Sequence, residues 1–256
     1  MRIAIAQVRG QIDDPPANAS KAKMLLNNTD VDLLIFPEMF ATGYDRNCVQ
    51  FVDNMQRLFR DKLNMHVKNR GCSVIFGAPV RYDGKLYNCA ILTDGDNDQV
   101  YRKIHLDANE KLPEKDMFAA GGGPVIFGFK DIKIGMMIGN DIMFGELSRW
   151  YAANDVDLAV CISAVPKQVM ERYEKVLPAR CVENSMEIIF VNMVGPDPGI
   201  VMAGGSRYVS SDGVVVEACT DSSDVRIIKL DPERIKRSKE RRTFLKEIRK
   251  DIDWKV

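Results

Sequence analysis

With 256 residues, 36 Lys and Arg against 36 Asp and Glu, and an apolar fraction of 46%, the chain can bury a sizeable core and has no charge excess pointing to nucleic acid or acidic lipid. No run of about 18 apolar residues occurs, which argues against a membrane span. The N-terminal MRIAIAQVRG reads as a first strand rather than a signal peptide, so a cytoplasmic protein is expected.

In chain order, Arg2–Gln7 alternates as a strand, and Asp13-Asp14-Pro15-Pro16 starts a helix running to about Asn28, with acids and proline at its positive end. Asp32–Phe36 is a nearly continuous apolar run, the mark of a strand covered on both faces. It ends in Pro37-Glu38-Met39-Phe40, where Glu38 can be read either as a surface acid or as a functional carboxylate. A helix is predicted over Val49–Asn69, then strands at Ser73–Pro79 and Lys85–Thr93. Tyr101–Leu106 mixes β propensity with the cations Arg102 and Lys103, and His105 is expected to be a hydrogen-bonded structural histidine. Residues 107–123 form a loop too long to be mere connection and are a candidate wall of an active site. Its triple glycine, Gly121-Gly122-Gly123, lacks the lysine and spacing of a phosphate-binding loop.

Pro124–Phe129 and Ile132–Ile138 are predicted strands. The second runs into the turn Gly139-Asn140-Asp141 and a helix over Phe144–Asn154. Such a strand-to-helix elbow is where nucleophiles are commonly mounted, yet its first residue is glycine. Leu158–Ile162 is a further strand, and Lys167–Asn184 a long helix interrupted near Pro178. Strands follow at Ile188–Met193, Arg207–Ser210, Val214–Ala218 and Val225–Leu230, with a turn at Pro196-Asp197-Pro198-Gly199. Pro232–Lys250 carries nine Lys and Arg against three Glu and reads as a solvated helix, with 232–256 a tail packing on a partner subunit. The six cysteines have no CxxC spacing and the only histidines are His66 and His105, so neither a disulfide framework, a metal site nor a cofactor is expected. The alternation predicts a single α/β domain over 1–256, with helices outside packed sheets.

Five segments, MRIAIAQ, LLIFPEMFATGY, YRKIHL, IGNDIMFGELSR and ARCVEN, resemble in the same order the signatures of the nitrilase (carbon–nitrogen hydrolase) superfamily along nearly the whole chain. The resemblance implies a four-layer αββα sandwich that assembles as a homodimer or higher homo-oligomer. It also implies a catalytic set of Glu, Lys and Cys, matched here by Glu38 and Lys103, with a second acid in the following loop at Glu110, for which Glu114 competes. The position of the family's nucleophile falls on Gly139. Asn140 replaces an aromatic residue and Gly145 a proline, whereas Asp141, Glu146 and Arg149 keep the pattern and are expected to act structurally through buried ion pairs around the elbow.

In that chemistry the glutamate is the general base, the lysine holds the negative oxygen of the tetrahedral intermediate, and the thiol carries the acyl group. A glycine at 139 cannot form the covalent intermediate. The expectation is a pseudoenzyme or a binder of a small amide, carboxylate or amine, in a pocket drawing on Tyr44, Asn140 and Glu114. The alternatives are hydrolysis by water activated by Glu38, and an oligomeric interaction subunit. Cys161, in an apolar strand, reads as core. No nucleic-acid or membrane partner is expected.

Overall fold

The computed structural model describes residues 1–108, 112–197, 199–219, 221–249 and 251. Strands β1 (Arg2–Gln7), β2 (Leu33–Ile35), β3 (Ser73–Tyr82), β4 (Lys85–Thr93) and β5 (Asp98–Arg102) join the late strand β14 (Asp224–Lys229) in a six-stranded sheet of order β14-β1-β2-β3-β4-β5. Strands β6 (Ile126–Phe129), β7 (Ile132–Ile138), β8 (Leu158–Ser163), β9 (Glu187–Asn192), β12 (Arg207–Val209) and β13 (Val215–Ala218) form a second, of order β13-β12-β9-β8-β7-β6. The centre of each sheet is parallel: β1 with β2 and β3 in one, β7 with β8 and β9 in the other. Apart from β1, which reads as alternating but is buried from Ile3 to Gln7, these are the segments whose apolar runs do not alternate, because both faces of a central parallel strand are covered.

Three cores separate the layers. Between the sheets, Ile3, Ile35, Ile75 and Tyr101 meet Phe127, Met136, Ile138, Val160 and Ile189. Helices α1 (Pro15–Asn27) and α2 (Asp61–Arg70) cover the outer face of the first sheet, packing Ala19, Ala22, Leu26, Leu63 and Val67 against Leu34, Val74 and Phe76. Helices α4 (Gly145–Ala153) and α5 (Met170–Asn184) cover the second, packing Leu147, Tyr151, Leu177 and Cys181 against Met137, Ala159 and Ile188. At roughly 1.5–3 kcal/mol for each large apolar side chain removed from water, these layers are the main stabilising term. The result is the predicted αββα sandwich.

Several local expectations change. The helix predicted over Val49–Asn69 is a 3-10 segment at Arg46–Asn54, a π turn at Gln56–Arg60 and only then α2. Cys48, Val52, Met55, Phe59, Leu63 and Val67 are all buried, and changing the winding keeps them on the sheet side. Helix α5 runs through Pro178 unbroken, held by Tyr173 and Leu177 before the proline and Cys181 after it. Around the predicted turn at 196–199, β10 (Val194–Asp197) and β11 (Ile200–Ala203) pair as a separate hairpin, and the long loop contains the short helix α3 (Glu114–Met117).

The C-terminal segment is less solvated than its charge suggests. Helix α6 (Pro232–Glu240) buries Ile235 in the inter-sheet core of its own chain, and Ser238 meets Ser211 at 2.8 Å. Just beyond it, the buried Arg242 donates to the carbonyls of Ala152 (3.2 Å), Val156 (2.6 Å) and Ser185 (3.4 Å), around the ends of α4 and α5. Phe244 and Ile248, farther on, are exposed. Arg242→Ala would remove these three bonds, with the Asp155 N–H still donating to the Ala152 carbonyl, and a loss of about 3 kcal/mol is expected. Urea unfolding should show the midpoint falling with an unchanged slope.

Candidate functional site

Strands β2 and β7 each end beside a parallel neighbour, and β3 runs on to Tyr82. Ile35 of β2 lies beside Ile75 of β3, and Ile138 of β7 beside Ile162 of β8, so the segments leaving these strands converge at the carboxyl edge where ligands of open α/β sheets collect. Beyond β2, the chain carrying Glu38 crosses directly over β3 at Gly77. A Cβ at residue 77 would stand 2.2 Å from the Met39 nitrogen and 2.7 Å from the Glu38 Cα, so only glycine lets the two backbones approach. Met39 takes a left-handed φ of 52°, a costly conformation for a non-glycine residue, and the turn is closed by Ala41 and Gly43 donating to the carbonyls of Gly77 and Met39.

Lys103 follows β5. Its backbone N–H donates to the Asn88 carbonyl at 2.8 Å, and its own carbonyl accepts from Gly121 at 2.8 Å. The ammonium is 2% exposed and lies 2.9 Å from Glu38 Oε1 and 2.8 Å from Glu114 Oε2. Between the sequence candidates for a second acid, the structure brings Glu114 to the lysine; Glu110 lies outside the described residues. Asn88, fully buried on β4, donates from Nδ2 to Glu38 Oε1 and to Glu114 Oε1, both at 2.7 Å. The backbone N–H groups of Ala164 and Asp107 complete the two carboxylates, at 3.0 Å to Glu38 Oε2 and 2.7 Å to Glu114 Oε2.

Position 139 faces this cluster. Gly139 has φ of +50°, and a Cβ there would lie 2.9 Å from Glu38 Oε2 and 3.1 Å from Lys103 Nζ. Between them is a cavity of about 20 Å³, lined by Glu38, Tyr44, Lys103, Asn140, Ala164 and Tyr173 among others, large enough for one water molecule. The elbow is fixed from below by Asp141, which accepts from the Ile138 N–H (3.0 Å), the Tyr101 hydroxyl (2.7 Å) and the His105 N–H (2.9 Å), and pairs with His105 Nδ1 (2.9 Å). The ion-pair expectation for the elbow is therefore corrected. Asp141 is anchored mainly by neutral donors, Glu146 is exposed in the first turn of α4, and Arg149 keeps a buried Nη1 with no hydrogen-bond partner.

No cysteine lines the cavity among the described residues. Cys161 lies beneath it, with Sγ 3.8 Å from the Gly139 carbonyl oxygen and 3.4 Å from Ser163 Oγ, and burial pushes its thiol up to about 12. Cys72 and Cys89 sit in the core between the first sheet and its helices, their thiols against the carbonyls of Val67 and Tyr87. Burial raises both, Cys89 to about 12, which keeps them protonated and unreactive. Among the described residues no group of three or more His, Cys, Asp or Glu side chains is placed to hold a metal ion, and no helix is long and apolar enough to cross a membrane.

Burial raises Glu38 from 4.5 to about 7; Lys103 pulls it down and Glu114 pushes it up. Burial acts to lower Lys103, but the two carboxylates outweigh it and hold the ammonium above its ordinary range. Because Glu38 binds its proton more tightly folded than unfolded, its contribution to stability is complete below about pH 4.5 and is lost as pH rises through about 7. The lysine term stays constant over that window, since it is lost only at alkaline pH. The stability of the unmodified chain relative to Glu38→Gln should therefore fall by about 3 kcal/mol between pH 4.5 and 8. A difference that does not change with pH would refute the assignment.

Asn88 was not singled out by sequence reasoning, although a lone amide inside the apolar run Leu86–Leu92 is a readable signal: a buried polar group must have partners. The backbone donors of Ala164 and Asp107 leave no such trace.

A family model described as carbon-nitrogen hydrolase matches residues 2–240. An (R)-stereoselective amidase from a Pseudomonas species is 27% identical, over 97% of this chain and 92% of that protein. The solved structure of a CN-hydrolase superfamily protein from Xanthomonas campestris superposes with a TM-score of 0.88 at 22% identity, covering 100% of this chain and 98% of the other. The cysteine-to-alanine mutant of an amidase from Nesterenkonia sp. AN1, solved in complex with butyramide, gives a TM-score of 0.81 at 24% identity, covering 96% and 95%.

Proposed function

The chain belongs to the carbon–nitrogen hydrolase family, and we propose that it keeps the family's pocket for a small amide, amine or carboxylate without its cysteine-dependent acyl transfer. The observation that carries this reading is the convergence of Glu38 Oε2 and Lys103 Nζ on the Cβ position of residue 139, which is glycine. On this reading a base and an oxyanion-stabilising cation surround a site with no nucleophile. Glu38, Lys103 and Glu114 are the proposed polar groups of the pocket, with Tyr44 and Asn140 in its lining. The Nesterenkonia amidase mutant in complex with butyramide supports the idea that a fold of this kind can hold an amide after its cysteine is replaced.

The test is a screen of small amides, amines and carboxylates by thermal shift, with ammonia release measured in parallel. A ligand at about 100 times its Kd should stabilise the chain by about 2.7 kcal/mol, and Lys103→Ala should abolish that shift. If no compound in any class binds, the reading is wrong.

A second reading is hydrolysis by water. It is favoured by Glu38, raised to about 7, presenting Oε2 to a cavity that accommodates one water. Glu38 would take a proton from that water as its oxygen attacks the carbonyl carbon, Lys103 would hold the oxyanion, and the proton would pass to the leaving amine. Turnover of any amide, N-carbamoyl compound or nitrile that is lost in Glu38→Gln would establish this route; binding with no turnover above background would favour the first. Assembly through the outer helices is part of the same proposal, since Trp150 of α4 and Val182 of α5 are 39% and 48% exposed. Sedimentation of the unmodified chain and of Trp150→Glu addresses it.

A further inference from the structure

We propose that Asn88 is a positioning residue that keeps Oε1 of Glu38 an acceptor only and so directs the exchangeable proton to Oε2, the oxygen facing position 139. This rests on the reading of Glu38 as the base aimed at that position. The geometry is specific. Oε1 of Glu38 accepts from Asn88 Nδ2 at 2.7 Å and from Lys103 Nζ at 2.9 Å, and Oε1 of Glu114 accepts from the same two donors at 2.7 and 3.0 Å. One amide nitrogen has two hydrogens, and here each is assigned to a different carboxylate.

The amide orientation follows from this network. The reverse orientation would set Asn88 Oδ1 at hydrogen-bonding distance from two carboxylate oxygens, acceptor against acceptor. A proton placed on Oε1 of Glu38 would collide with a donor and could be accommodated only by flipping the amide, which would strip Glu114 of its own bond. Oε2 has one donor, the Ala164 N–H at 3.0 Å, and an open side toward the cavity. The Val165 N–H and carbonyl that follow are themselves clamped by Asn192, at 2.7 and 3.1 Å, so the Ala164 donor cannot easily swing away. The backbone carbonyl of Asn88 also accepts the backbone N–H of Lys103. The charged and titratable groups around Glu38 are Lys103 and Glu114 in contact, with Tyr44, Asp107, Tyr173 and Cys161 nearby. Lys103, like Asn88, donates to both acids, and Asn88 is the neutral member of that pair of donors.

The experiment follows the Glu38 carboxyl by 13C NMR, assigned by its absence in Glu38→Gln, and so needs neither a ligand nor turnover. Asn88→Leu, of similar volume, and Asn88→Ser, as the milder change, both remove the hydrogen bonds to the ionised acids. Either is expected to raise the Glu38 midpoint by about 1–2 pH units. A merely structural role would lower Tm and leave the midpoint where it is, and that result overturns the proposal. In the unmodified chain, both Nδ2 hydrogens of Asn88 should stay protected from exchange on either side of the midpoint. Rapid exchange of either when Glu38 is protonated also overturns it, whether or not the variants fold. Absence of any bound amide in the ligand screen would count against the proposed function and leave this titration result standing.

Discussion

On the proposed reading, Gly139→Cys should give a measurable hydrolase. Where a nucleophile is deleted from an otherwise complete set, the remaining groups retain about 10³–10⁴-fold over water, against roughly 10⁶-fold or more for the whole. Supplying the thiol should therefore raise turnover by at least about 10²-fold on the best amide. The new Cβ would stand 2.9 Å from Glu38 Oε2 and 3.1 Å from Lys103 Nζ, so Sγ is delivered next to both the base and the cation. The ammonium favours the thiolate, and Glu38, raised to about 7, can receive its proton near neutral pH. The variant is also expected to lose stability by about 1–3 kcal/mol, because φ at this residue is +50° and a side chain there is strained. The ends of Glu38 and Lys103 must also give by a few tenths of an ångström, and both are pinned by Asn88 and Glu114. Gly139→Ala is the control: it carries the same backbone cost without the thiol and should stay inactive. A folded Gly139→Cys whose thiol reacts with iodoacetamide but which hydrolyses no amide, N-carbamoyl compound or nitrile would show that the pocket is not arranged for acyl transfer.

How much of this was legible in the sequence depends on whether a feature is recorded locally. The uninterrupted runs at Leu33–Ile35 and Ile134–Ile138 announce strands covered on both faces, and two such sets separated by amphipathic segments are enough for a layered α/β fold. Glu38, Lys103 and the Gly139 elbow lie at strand ends and were readable as candidates. Their meeting was not, since it depends on Gly77 letting the Glu38 segment cross β3 and on Asp141 tying the elbow to Tyr101 and His105, contacts between residues 36 to 40 positions apart. The place of Glu114 escaped for a similar reason: loop spacing does not say that this acid meets the Asp107 N–H and the lysine. Winding around Val49–Asn69 failed because periodicity reports the buried residues, and a mixed 3-10, π and α path buries the same ones.

Lys103→Met should be among the most destabilising single changes in the chain, at about 3–5 kcal/mol near pH 8, because it leaves two buried carboxylates without their shared cation. The loss should shrink as pH is lowered toward 5, where the acids can take up protons instead, and Tm measured across that range tests the coupling. Adding Glu38→Gln and Glu114→Gln to Lys103→Met should recover most of the deficit, a non-additivity expected when three groups form one network. The apolar triple variant Lys103→Met, Glu38→Leu, Glu114→Leu separates the two reasons for keeping such a cluster. Buried ion sets are rarely better for stability than well-packed apolar groups of similar volume. If the triple variant is as stable as the unmodified chain or more so, and loses every ligand found by thermal shift, the three charges are there for binding. If it is markedly less stable while a ligand still binds, the cluster is structural, and the pocket must be sought elsewhere in the fold.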